Sequence, residues 1–175
     1  MSVDTKCVPG RRTLHFQSFD EMLADAERLV ASSDTKTLGN WPLSQLLMHL
    51  AGAVHSSIDG LDTRLPWYVR LLGRFIKRRV MRQGIKPGIQ LPKAVVDKAF
   101  PKAESPQRAL DELRAAIART RREPMTARHP VFGQLTHEEW TQFHLRHAEL
   151  HLSFAVPSAY ASKPAHHRLR LPSVV

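Results

Sequence analysis

Two histidines four residues apart, His147 and His151, are the residues of this chain best spaced to bind a metal ion. Four residues advance an α-helix by about 400°, so the two rings lie one turn apart on nearly one face and can meet a single ion. His144 stands three residues before His147 and seven before His151, borders the same stripe, and leaves the choice of ligands open. Two imidazoles rarely make a site. The best third ligand is His49, set in the apolar run Leu46-Leu47-Met48-His49-Leu50. A histidine on an apolar face is by itself more often a hydrogen-bonded core residue, but a helical pair together with a lone interior histidine shifts the reading toward a metal. Tetrahedral bonds near 2.1 Å separate ligand nitrogens by about 3.3 Å, so rings more than about 5 Å apart would defeat that reading. Imidazole coordinates only when neutral, so affinity is expected to fall as pH drops through about 6.5.

The other titratable residues carry less. His55 lies six residues beyond His49, about 240° further round the helix, and reads as a surface or supporting histidine. Glu149 is turned about 200° from both His147 and His151, and Glu139 lies earlier on the same helix, so no general base and no catalytic residue is assigned. His166 and His167 are adjacent in a basic tail and do not form a defined site.

These histidines need helices to hold them, and the sequence supplies start signals for four main ones. Ser18-Phe19-Asp20-Glu21 and Thr136-His137-Glu138-Glu139 have the form of capping boxes, and Ser105-Pro106 pairs a cap residue with a first-turn proline. Trp41-Pro42 opens another helix in the same way, with its proline in the first turn. Apolar residues recur at three- and four-residue spacing after each signal, predicting helices near 19–31, 43–57, 106–122 and 137–155. The last of these is expected to run through Phe154 to a stop near Pro157. A further helix is expected over 66–82, with Leu71, Leu72, Phe75 and Ile76 packed on the body and a solvated basic face. Residues 84–101 and 123–135 read as connections rich in glycine and proline. The domain reading is an arm over 1–17, a helical bundle over 18–156 with a basic insertion at 66–102, and a basic tail over 157–175.

With 42% hydrophobic and 24% charged residues, the 175-residue chain has the composition of one folded domain. The formal charge of +10 is unevenly placed: residues 66–102 hold 10 basic residues against 1 acidic one, whereas 103–156 hold 7 of each. That stretch has no nucleic-acid recognition motif, and it is read as surface lining that binds no specific nucleic acid sequence. The single Cys7 cannot form an intramolecular disulfide. No signal-peptide run and no apolar run of about 20 residues occurs, which excludes a transmembrane reading and makes the cytoplasm the expected location. No phosphate- or nucleotide-binding motif is present. The oligomeric state is not specified by these features, and a homodimer is compatible with them.

Four main helices with a histidine on the second and a His-x-x-x-His pair on the fourth resemble the DinB-like superfamily of metal-binding four-helix bundles, over most of 18–156. Closer still, Gly39-Asn40-Trp41-Pro42-Leu43-Ser44-Gln45-Leu46-Leu47-Met48-His49-Leu50 and His129-Pro130-Val131-Phe132-Gly133, followed by Trp140 and the histidine run, resemble an uncharacterised branch of it. Capping and periodicity together predict an all-α bundle with the additional 66–82 helix in the connection between the second and third bundle helices, and the resemblance implies that the bundle is DinB-like. It implies that His49, His147 and His151 occupy the ligand positions, with zinc or nickel as the usual ion. It also makes a low-molecular-weight thiol a cosubstrate to test, because the wider superfamily includes thiol-dependent transferases. Three neutral imidazoles leave a divalent ion's charge unneutralised and a position open, where a thiol can bind as thiolate or a water can ionise.

Two readings follow from different classes of protein. One is a metal-dependent thiol transferase acting on a small electrophilic substrate, with hydrolysis as a variant at the same site. The other is a non-enzymatic bundle whose ion is structural or whose site is vestigial, and whose basic surface binds a partner.

Overall fold

The computed structural model describes residues 3–61, 66–88 and 101–157. The basic tail after Val156, apart from Pro157, lies outside the described residues, as does most of the irregular connection before Pro101. The described residues are mostly helical. Five α-helices occur among them: α1 (Phe19–Ala31), α2 (Leu43–Asp59), α3 (Trp67–Gln83), α4 (Pro106–Thr120) and α5 (His137–Leu152).

The starts of these helices follow the local chemistry. Ser18 Oγ accepts from the Glu21 amide, while the Glu21 carboxylate reaches one residue past the cap to the Gln17 amide. Thr136 and Glu139 form the full reciprocal box. Ser105 caps α4 with Pro106 in its first position. Pro42 is itself the cap of α2, so that helix begins one residue later than its proline.

Four of the five helices close around one core. Met22, Ala26 and Leu29 of α1, Leu47, Leu50 and Val54 of α2, Leu110, Leu113 and Ile117 of α4, and Leu145, Ala148 and Leu152 of α5 are all buried in it. The α2–α4 interface is the most extensive of these. A second apolar cluster, formed by Met81, Met125, Leu135 and Trp140, ties α3 to the start of α5.

The last helix is shorter than its periodicity predicts. It ends at Leu152, and Ala155–Val156 instead form β4, which pairs antiparallel with β1 (Lys36–Thr37) in the register Lys36↔Val156 and Thr37↔Ala155. Inside the expected 123–135 loop, β2 (Arg128–His129) pairs with β3 (Gly133–Gln134) across a tight turn. Gly133 turns that corner with φ +77°, a left-handed conformation suited to glycine.

The orientation of α3 reverses the expected one. Leu71, Leu72, Phe75 and Ile76 face solvent, whereas Gly73, Lys77 and Met81 face the body. Gly73 explains this: a Cβ there would sit 2.3 Å from the Val131 carbonyl oxygen, so only glycine permits the close approach to the β2–β3 turn. Lys77 fixes the same rotation by donating to Glu139 at 2.6 Å.

The segment before α1 is tied into the bundle by a buried ion pair. Arg12 donates to both Asp25 oxygens at 2.8 and 2.7 Å and to the Leu152 carbonyl at 3.0 Å. Phe16 is buried in the main core, and its amide donates to Glu149.

Candidate metal centre

α2 and α5 pack against each other, and their contact brings three imidazoles to one point. Nε2 of His147 lies 3.0 Å from Nε2 of His49 and 3.0 Å from Nε2 of His151. The ligand-capable atoms of all three residues fall within 4.8 Å of one another. Bonds of about 2.1 Å place their nitrogens about 3.0 Å apart at right angles and about 3.4 Å apart at the tetrahedral angle, so the spacing is of coordination size.

Protons alone satisfy this arrangement poorly. A neutral imidazole nitrogen either donates one hydrogen or offers one lone pair, and His147 Nε2 faces two other ring nitrogens at once. Three lone pairs aimed at a common cation resolve the conflict. The donor set therefore fits a borderline-soft divalent ion.

Burial keeps two of these rings neutral. Desolvation, and then the neighbouring histidines, hold His147 well below its ordinary value of 6.5. Desolvation does the same for His151, with His49 and the Arg11 guanidinium adding to it. These two rings therefore stay unprotonated to lower pH than an unperturbed histidine. All three residues retain partial solvent access.

The rings are oriented largely by packing. Phe143 stacks on His147 with centroids 5.4 Å apart, and the three histidines meet edge to face. His147 Nδ1 is buried and has no hydrogen-bond partner among the described residues, so the usual carboxylate or carbonyl brace is missing there. At the end of α5, Arg11 donates to Ser153 Oγ and lies over the Phe154 ring at 4.1 Å, which anchors the turn that follows His151.

The remaining sequence candidates lie elsewhere. His144, which borders the stripe in sequence, is turned into the interior, stacks on Trp140 at 5.3 Å and does not join the cluster. His55 faces Glu112 at 3.4 Å and Arg119 at 3.3 Å. Glu149 accepts from the Phe16 amide and pairs with Arg146 at 2.9 Å, which engages it away from the three imidazoles. Glu139 is held by Thr136 and Lys77.

His129 has a structural role that the sequence reading did not assign. Its buried ring stacks on Phe132, and its Nδ1 accepts from the amides of Val131 and Phe132 at 3.1 and 3.0 Å. Desolvation lowers its pKa to about 4. The adjacent His-Pro and the glycine four residues on were the signals that could have marked a folded turn.

A family model described as "Protein of unknown function (DUF1569)" matches residues 9–158. No curated protein and no solved structure matches the chain.

Proposed function

We propose that this chain, which belongs to the DUF1569 family of proteins of unknown function, binds one divalent transition-metal ion, zinc or nickel, through His49, His147 and His151. In this reading the bundle is DinB-like and serves as a thiol-dependent transferase acting on a small electrophile. The observation that carries it is the convergence of the three Nε2 atoms, with His147 at 3.0 Å from both others.

A bound ion would supply positive charge that keeps a low-molecular-weight thiol deprotonated near neutral pH. The protein's own part is to hold His147 and His151 neutral by burial, to fix His147 against Phe143, and to leave the cluster partly accessible. Glu149 and Glu139 are engaged in structural contacts, so a thiol held at the three histidines' ion would release its proton to water rather than to either carboxylate.

The non-enzymatic reading has one observation in its favour. The cleft beside α3 and the cleft between residues 13–16 and α1 are lined by residues other than the three histidines. Cobalt substitution separates the readings. Cysteine or glutathione added to the cobalt protein is expected to produce a sulfur-to-cobalt charge-transfer band that is lost in His147→Ala. An unchanged spectrum with both thiols, at one cobalt per chain, would refute the transferase reading and leave a structural ion.

A further inference from the structure

We propose that the outward face of α3 docks on anionic phospholipid bilayers, making this a peripheral membrane protein. The observation is an inverted helix. Trp67, Tyr68, Leu71, Leu72 and Phe75 project away from the body, with Trp67 74% and Phe75 75% exposed. The first half of the helix thus presents a continuous apolar patch, of a kind that marks an interaction surface on a soluble domain.

Charge selects the occupant. α3 contains no acidic residue, and the second half of its outward face carries Arg78, Arg79 and Arg82, all exposed. None of the three has an ion-pair partner among the described residues. Arg74, Arg78 and Arg128 line a cleft of about 1040 Å³ together with Trp67, Leu71 and Phe75 of the patch, where phosphate headgroups would meet guanidinium groups; the Glu139 carboxylate in its lining is paired with Lys77. A second copy of this chain would bring like charges together across the patch. A protein partner lacks the lateral continuity that lets aromatic side chains sink while flanking arginines reach the headgroups. An anionic bilayer meets both needs: Trp and Tyr settle at the interface, and long basic side chains extend to phosphate. No described helix is long and apolar enough to cross the membrane, so the helix would lie in the interface plane.

The test is co-sedimentation of the full chain with vesicles at physiological salt. One set is neutral phosphatidylcholine, and the other has a third of it replaced by anionic phosphatidylglycerol. Partition is expected into the anionic set, with a blue shift of tryptophan emission that Trp67→Phe removes. Leu72→Glu with Phe75→Glu should abolish partition, and its far-UV circular dichroism and thermal midpoint, matching wild type, would show an intact fold. Replacing Arg78, Arg79 and Arg82 by Gln should weaken anionic partition about fivefold per residue, the equivalent of about 1 kcal/mol each near a charged surface. Several outcomes would overturn the proposal: no partition of wild type, equal partition into neutral vesicles, or partition that survives the double Glu change. Tighter binding to duplex DNA than to vesicles would do so as well, as would a dimer in solution that Phe75→Glu dissociates without any vesicle binding.

Discussion

Replacing Arg12 by Met should destabilise the protein severely, although Arg12 lies outside every helix. Arg12 and Asp25 form a bidentate pair with both side chains almost fully buried, and Arg12 also donates to the Leu152 carbonyl at the end of α5. Removing one partner of a buried pair leaves an uncompensated charge, at a cost of about 3–5 kcal/mol. Arg28 reaches Asp25 at 3.3 Å but is largely exposed, so it offsets only part of that cost. The expected loss is about 3–4 kcal/mol. At about 2–4 °C per kcal/mol for a chain of this size, the thermal midpoint should fall by about 6–16 °C. Urea unfolding followed by circular dichroism gives the same quantity at constant temperature, with an unchanged m-value if only stability moves. Adding Asp25→Leu should recover at least half the loss, because an apolar pair of similar volume replaces a buried ion pair at little cost. A single variant within about 2 °C of wild type, or a double variant no better than the single, would refute this account of the ion pair.

Acid should unfold the protein through its buried neutral histidines. Desolvation lowers His144 to about 3 and His129 to about 4, whereas both protonate near 6.5 when unfolded. The unfolded chain therefore binds more protons between these values, and stability that is complete above pH 6.5 is lost as pH falls toward 4. At pH 5 each residue should cost about 2 kcal/mol, and His144→Phe should remove about a quarter of the drop in urea midpoint between pH 7 and pH 5, because His147 and His151 are held neutral by burial in the same way. Gly73→Ala should destabilise by about 1–3 kcal/mol by overpacking against Val131, opposite in sign to the gain that alanine usually brings to a helix interior, as chemical denaturation would show. Zinc or nickel at a hundredfold excess over its Kd should stabilise the folded state by about 2.7 kcal/mol and raise the thermal midpoint by about 5–11 °C, an effect absent in His49→Ala. In the metal-free protein, an NMR titration should show the His147 and His151 rings still neutral at pH 6; protonation of either between pH 7 and pH 6 would contradict their burial.

Much of the helical frame was legible because each start carries its own chemistry. Ser18, Ser105 and Thr136 mark caps by side chains that act within three residues, so no tertiary information is needed to read them. The one-turn spacing of His147 and His151 was legible for the same reason, whereas the separation of His144 from the cluster was not. A helix position bordering a stripe can turn either way, and stacking on Trp140 settled it. The face of α3 was misread because its apolar and basic stripes are compatible with either rotation; the deciding contact is between Gly73 and Val131, 58 residues away. Likewise, β1 and β4 are two residues each, too short to leave an alternating pattern, and they stop α5 at Leu152 through a pairing distant in sequence. Arg12 was read as part of an arm because nothing local signals a partner 13 residues on.

Metal content of the untagged protein tests the central claim most directly. Dialysed against zinc or nickel and measured by elemental analysis, wild type should hold one ion per chain. Single changes of His49, His147 or His151 to Ala should each lose most of it, while His144→Ala and His55→Ala should retain it. No bound ion in wild type, or full occupancy in any of the first three variants, would contradict the assignment of the three imidazoles to one metal.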